Sequence, residues 1–400
     1  MITGNGRYVV LSADGHAGAS VDAYREYLDP KFRDDFDAWR TKYRNPFRDL
    51  KDDGASRNWD SERRLRDLES DGVLGEVLFP NTVPPFFPSA LHIAPPPSPA
   101  DYEHRRAGIH AHNRWLAEFC ADAPGRRAGC GQIFLNDIDD AIEDLEWIVA
   151  HGLRGGVILP GVPDDAKHVK PLYDQSYDRL WAACQDHDVV LNHHSGGGSP
   201  DYGQTPIRWV LWLAETSFFS RRALTHLVMA GVFERFPRLR LALTELSVAW
   251  VPGVFDQLDS FHSMMRGGRV GEMSFPVDAI LELPPSEYVR RNVWFGVSFP
   301  NAAEIETRSW IGDDKIMFGA DFPHSEGTYP FTRECLRLAF SDVPPDVTSA
   351  MLSGNAADLY GFDLDVLASL AVELGPTVEE IARPLEAIPE GATSHAFKRT

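Results

Sequence analysis

The sequence predicts an α/β protein folded as a (β/α)8 TIM barrel, with long loops at the C-terminal face of its strands and a C-terminal helical arm. Three observations predict it. Eight short apolar runs alternate with longer amphipathic segments along the 400 residues. Most runs are continuously apolar and do not alternate, which is the pattern of strands buried on both faces of a parallel sheet. The turn after the first run reads Asp14-Gly15-His16, a ligand pattern. A doubly wound open sheet, the other arrangement compatible with the alternation, usually carries a Gly-rich phosphate loop at that point.

The first strand is expected at residues 8–13 (YVVLSA) and the second at 73–79 (VLGEVLF). The third and fourth follow at 128–134 (AGCGQIF) and 155–159 (GGVIL), and the fifth and sixth at 189–192 (VVLN) and 239–244 (LRLALT). Residues 293–297 (VWFGV) and 316–319 (IMFG) complete the set. Amphipathic periodicity predicts helices over 102–122, 138–151, 173–187, 216–236 and 248–265. The connections 18–60, 81–100, 195–212 and 267–288 exceed the usual few residues. Three of them follow strands 1, 2 and 5, on the face that carries function in a barrel, so they are expected to roof a substrate pocket. Residues 1–362 read as a metal-dependent catalytic barrel with insertions. Residues 363–400 read as an appended arm, helical near 366–373 and 378–387, that packs on the barrel or on a second copy in a homodimer.

Composition narrows the function classes. Lys plus Arg is 39 and Asp plus Glu is 59, a net charge of −20. A chain this acidic lacks the basic face of a duplex-binding protein. With 43% hydrophobic and 24% charged residues it is not a disordered chain. No apolar window approaches the length of a membrane span, and residues 1–10 do not read as a signal peptide. The cysteines Cys120, Cys130, Cys184 and Cys335 are scattered, without a CxxC, so a reducing cytoplasm is the simplest reading. No internal repeat is present.

The chemistry is carried by what lies at the strand ends. Strand 1 ends in Asp14 and His16, strand 5 in His193 and His194, strand 6 in Glu245, and strand 8 in Asp321 and His324. Every one is a metal-binding side chain, and in a barrel these points converge on one rim. Buried carboxylates and imidazoles need partners, and one cation serves several at once. Asp14 and His16 are two residues apart on a strand, so both point the same way. Adjacent His193 and His194 face opposite sides. His194 is expected as the ligand, and His193 as a supporting group or a ligand to a second ion. Pro323 fixes the turn between Asp321 and His324. His226, in the helix before strand 6, either packs there or reaches in from the rim. His110-Ala111-His112 resembles a metal HxH, but on a helix i and i+2 do not share a face. His92, His104, His151, His168, His187, His262 and His395 read as surface or loop residues.

The motifs LSADGH (11–16), GVFERFPRLRLALTELSVAWVP (231–252), MFGADFPHSEGTYP (317–330) and GNAADLYGF (354–362) resemble the amidohydrolase-related family 2. That resemblance implies a TIM-barrel metal-dependent hydrolase or decarboxylase. The departures are local. The family's usual first motif is HxH or ExH, and here it is Asp14-x-His16. Glu245 stands where members often have a histidine, and Pro160 and Gly161 leave no lysine after strand 4. Three carboxylates and up to five imidazoles exceed the needs of one zinc. Mixed carboxylate and imidazole donors suit non-haem iron.

In this the chain is similar to a small branch of TIM-barrel non-haem diiron monooxygenases of platensimycin and platencin biosynthesis. The resemblance implies two iron ions held by Asp14, His16, His194, Glu245, Asp321 and some of His193, His226 and His324. It also implies O2, an external electron donor, and hydroxylation of an apolar, diterpenoid-like, coenzyme A-linked substrate in natural product biosynthesis. Asp321, His324 and Glu245 are then the expected catalytic groups. Arg63-Arg64, Arg105-Arg106, Arg221-Arg222 and Arg290-Arg291 are the expected cations for coenzyme A phosphates, with solvated helix faces as the plainer account. The alternative is a metal-dependent hydrolase or non-oxidative decarboxylase with zinc or manganese.

Overall fold

The computed structural model describes residues 1–44, 54–88, 94–276 and 280–398. Eight parallel strands run in sequence order around the sheet: β1 (Leu11–Ala17), β2 (Gly75–Pro80), β3 (Arg127–Gln132), β4 (Gly156–Ile158), β5 (Val190–His194), β6 (Arg240–Thr244), β7 (Val293–Ser298) and β8 (Ile316–Gly319). The ring closes where Gly15 pairs with Phe322, with His16 N donating to Phe322 O at 2.7 Å and Asp321 N donating to Asp14 O at 2.8 Å. The order, the parallel sense and the closure are those of the expected (β/α)8 barrel.

Helices cover the outside. In Ile138–Ala150 the buried residues Ala141, Asp144, Leu145 and Ile148 fall at helical spacing on one face, and Asp137 caps the first turn by accepting from Asp139 N and Asp140 N. Residues 195–212 are not all loop as expected, because the helix Arg208–Met229 begins inside them. The segment after residue 362 forms Leu364–Leu374 and Val378–Ile381. It is pinned to the N-terminus by Tyr8 N donating to Pro376 O at 2.9 Å, and its end reaches the loop after β8, where His395 N donates to Glu326 O at 2.9 Å.

Strand parity divides the core. Val9, Leu11 and Ala13 join Val77, Phe79, Ala128, Cys130, Val190, Ala242 and Met317 inside the barrel. Val10, Leu78, Leu191, Leu241 and Phe318 face the helices. β1 then breaks its own alternation. Ser12 pairs with Glu76 but Gly15 with Leu78, so β1 carries one extra residue between them. This bulge moves the inward positions from odd to even numbers, which is how Asp14 and His16 follow Ala13 onto the inner side. The two residues therefore lie within a longer strand and not beyond its end.

Candidate metal centre

The inner ends of β1, β5 and β8 bring Asp14, His16, His194, Asp321 and His324 together. Two groups have their ligand atoms within 4.8 Å of one another: Asp14, His16 and His194, and His16, Asp321 and His324. His16 Nε2 lies 3.3 Å from Asp14 Oδ1 and 3.2 Å from Asp321 Oδ1, and His194 Nε2 lies 3.3 Å from Asp14 Oδ1. All four of these side chains are essentially fully buried.

Two small residues make the space. A Cβ on Gly319 would come within 2.8 Å of Asp14 Cβ, and one on Gly15 within 2.9 Å of Glu76 Oε2. Ser298, the last residue of β7, donates its hydroxyl to Asp14 Oδ2. Glu245, Phe299 and Asp321, each just past a strand, hold positive φ of 60°, 41° and 56°. For side chains other than glycine such backbone costs about 1–3 kcal/mol each and persists where surrounding structure fixes it, commonly at functional sites.

Hydrogen bonds set the imidazoles. A carbonyl oxygen only accepts, so His16 Nδ1 donates to Pro80 O (3.4 Å) and His194 Nδ1 to Ser195 O (3.1 Å). With Nδ1 directed at a carbonyl, each ring turns its Nε2 toward a carboxylate. The buried carboxylates call for positive charge between them and the rings, which a metal ion supplies. Asp321 Oδ2 is buried with no hydrogen-bond partner. This donor set fits a divalent ion held by oxygen and imidazole nitrogen. Burial pushes the Asp14 carboxyl up, but His16 and His194 outweigh it and hold it well below the usual carboxylate range.

Glu245 sits at the edge of the cluster with Oε2 at 3.6 Å from His194 Nδ1, its side chain 23% exposed. Burial and the Asp321 charge push it up to about 8. His324 Nδ1 lies 2.8 Å from Asp321 Oδ1, and its Nε2 lies 3.1 Å from Asn81 Oδ1. Asn81 donates its amide to Asn58 Oδ1 at 2.7 Å, which fixes its oxygen toward the histidine. His324 therefore donates at both nitrogens. Burial lowers its proton affinity, but the Asp321 carboxylate outweighs this and raises it to about 10.

The structure does not bring the other two histidines into the cluster. His193 has the parity of Leu191 and faces the helix layer, where its Nδ1 meets Leu159 O at 3.0 Å and burial lowers it to about 4. His226 is half-buried, with its ring centre 5.1 Å from that of Tyr173. In the decoy pair, His110 reaches Asp144 at 2.7 Å while His112 turns inward to the Tyr24 hydroxyl at 2.7 Å. His262 is buried, contrary to the surface reading, and donates Nε2 to Leu281 O at 2.8 Å. His92 lies outside the described residues. Asn81, Ser298 and the Arg64–Glu76 pair beneath Gly15 were not anticipated. The sequence signal for that pair is a carboxylate inside the apolar run 73–79.

A family model described as amidohydrolase matches residues 71–362, so the chain belongs to the amidohydrolase family. A 2-amino-3-carboxymuconate-6-semialdehyde decarboxylase of Dictyostelium discoideum is 20% identical over 309 residues, 76% of this chain and 77% of that one. Among solved structures, 5-carboxyvanillate decarboxylase from Sphingomonas paucimobilis aligns with a TM-score of 0.65 at 20% identity, over 89% of this chain and 100% of that one. A dihydroxybenzoic acid decarboxylase from Polaromonas sp. JS666, with bound manganese and 2-nitroresorcinol, aligns with a TM-score of 0.63 at 16% identity, over 88% and 97%.

These relatives overturn the expected diiron monooxygenase and oxidoreductase class. They are named as decarboxylases, which are lyases, so the expectations of O2, an external electron donor and natural product hydroxylation fall with it. The two groups of possible ligands share His16, whose Nδ1 is directed at Pro80 O and whose Nε2 faces both carboxylates. Of the arginines expected to meet coenzyme A phosphates, Arg64 is buried against Glu76, Arg106 pairs with Asp140, Glu143 and Asp144, Arg222 with Asp164 and Arg290 with Glu287. Among the described residues no helix is long and apolar enough to cross a membrane.

Proposed function

We propose that this chain is a metal-dependent, non-oxidative decarboxylase acting on a small aromatic or similarly conjugated carboxylic acid. The observation that carries it is the convergence of Asp14, His16, His194 and Asp321, with both Nε2 atoms turned to carboxylates. The names of the relatives supply the reaction class. In this reading residues 1–362 form the catalytic barrel and residues 363–400 an arm that ties its end to the loop after His324.

The four residues would hold one manganese or zinc ion, which supplies Lewis-acid polarisation of the substrate oxygens next to the bond that breaks. The carbon–carbon bond to the carboxylate breaks, its electron pair stays on the ring carbon, a proton arrives there and CO2 leaves. Redox partners play no part. His324, donating to Asp321 and Asn81, holds a proton beside the cluster, and Glu245 holds a second position at its exposed edge. Asp14 is oriented by Ser298, so the ligand carboxylate does not rotate away.

The test is anaerobic incubation of manganese- or zinc-loaded protein with a panel of hydroxybenzoic acids, following CO2 release and metal content together. About one ion per chain and CO2 release without oxygen is expected. A full metal load with no CO2 released from any acid of the panel overturns the reading.

A further inference from the structure

Around the rim from the metal centre, where β3 and β4 end, lies a second cavity of about 50 Å³. That is room for a few waters or one small polar group. Its walls include Phe87, Phe134, Ile158 and Gly161, and its polar atoms come from Arg105, Gln132 and Asn136. None of the metal-cluster residues lines it, but Gly161 packs against Gly197 and Gly198, in the turn that leaves β5 just after His194.

Arg105 is only 5% exposed, and its guanidinium lies 4.2 Å from the centre of the Phe87 ring and 5.4 Å from that of Phe134. Nη1 donates to Pro95 O at 2.7 Å, and Nε has no hydrogen-bond partner. Among the described residues no carboxylate pairs with it, whereas most buried arginines do have such a partner. Burial alone pulls it down to about 10, with the Asp101 charge opposing. Gln132, 3% exposed, also leaves Nε2 without a partner. Asn136 adds one acceptor, its Oδ1, because its amide is turned to Pro97 O. A desolvated cation and an unsatisfied amide donor in one aromatic-walled cavity are what an incoming anion completes.

We propose that this cavity is an anion subsite of the active site, with Arg105 and Gln132 receiving a second carboxylate of the substrate, remote from the one that is lost. The preferred substrate is then a dicarboxylate. The inference rests on the decarboxylase reading for its location on a substrate path, so its test is made by binding, without turnover.

Calorimetric binding of benzoate, isophthalate and terephthalate to the metal-loaded chain is compared with binding to Arg105→Met, Arg105→Lys and Gln132→Leu. One benzenedicarboxylate is expected to bind at least about tenfold tighter than benzoate. Arg105→Met loses that advantage and Arg105→Lys keeps part of it. Gln132→Leu, which removes an unpaired donor and leaves the arginine in place, folds normally and weakens it. Equal binding of mono- and dicarboxylates to the wild-type chain overturns the proposal. So does an advantage that survives in Arg105→Met, or in Gln132→Leu if Arg105→Met does not fold. Inorganic phosphate that binds through Arg105 while dicarboxylates show no preference also overturns it, and marks a free-anion site instead. A dicarboxylate preference without CO2 release from any acid leaves the subsite standing and removes the decarboxylase reading. CO2 release that is indifferent to Arg105 does the reverse.

Discussion

Two buried charge clusters lie back to back across β1. Beneath Gly15, Arg64 donates Nε and Nη2 to Glu76 at 2.7 and 2.6 Å and Nη1 to the carbonyls of His16 and Arg57 at 2.8 and 2.9 Å. Arg127 approaches the same carboxylate at 3.8 Å. Above it, Asp14, His16, His194 and Asp321 set carboxylates against imidazole Nε2 atoms. In the first cluster the protein meets the Glu76 carboxylate with two guanidiniums of its own, whose other donors go to Ser61 and to backbone carbonyls. In the second it leaves the matching to something outside the chain. Burial and distances are similar in both, so what separates structure from function is whether donors and acceptors balance. The two are also joined, since Arg64 holds the carbonyl of His16 and thereby the strand that presents it.

The largest effect is expected from unbalancing the matched cluster. Glu76→Gln leaves Arg64 buried without its counter-charge and should cost about 3–5 kcal/mol of unfolding free energy, read by chemical denaturation. The triple variant Arg64→Met/Glu76→Leu/Arg127→Met removes all three charges and should recover most of that loss. A Glu76→Gln chain with the wild-type denaturation midpoint would break the comparison at its root.

The metal cluster should respond in the opposite sense. Asp321→Ala and His16→Ala should each abolish metal retention and CO2 release, and of the two only Asp321→Ala should also lower the stability of the metal-free protein, because His324 loses its carboxylate. Manganese at about a hundred times its Kd should stabilise only the wild-type chain, by about 2.7 kcal/mol. Equal stabilisation of the variants by manganese would place the ion elsewhere.

A third buried group tests the principle without a metal. His112 meets a neutral partner, the Tyr24 hydroxyl, at Nδ1 and has none at Nε2, and burial lowers it from 6.5 to about 3. The folded chain thus binds this proton less readily than the unfolded chain. The stability it contributes is complete above pH 6.5 and is lost as pH falls below that value. At pH 5 the loss should be about 2 kcal/mol relative to pH 7. Subtracting the same pH series measured on His112→Asn isolates it, and parallel series for the two chains would refute the assignment.

The barrel was legible because eight apolar runs survive in the sequence as uninterrupted strings, and a parallel sheet buried on both faces leaves little else for them to be. The strand-end residues were legible for the same reason. Parity was not. The bulge between Ser12 and Gly15 is a register event between two strands whose partners, Ser12 and Glu76, are 64 residues apart, and no periodicity within residues 8–17 encodes it. The balance of charges was equally hidden. Arg64 and Arg105 look alike in sequence, each in an Arg-Arg pair on a helix, and only the fold gives one a carboxylate and the other a cavity. The monooxygenase expectation came from a resemblance that rested on the number of donors, and the sequence does not say which of them meet.

The smallest expected effect marks the border of the open cluster. His226 carries the right chemistry for a ligand, and inward reach from the helix is what sequence reasoning allowed. Its ring instead meets Tyr173 edge-on, and burial and the Arg222 charge lower its affinity for a proton. A group that contributes packing alone should be replaceable. His226→Ala is expected to keep the full metal load and CO2 release and to shift the denaturation free energy by less than about 1 kcal/mol. Loss of metal in that variant would mean that the rim rearranges around the ion to recruit a fifth donor. The unmatched cluster would then be wider than the five residues the strands bring together.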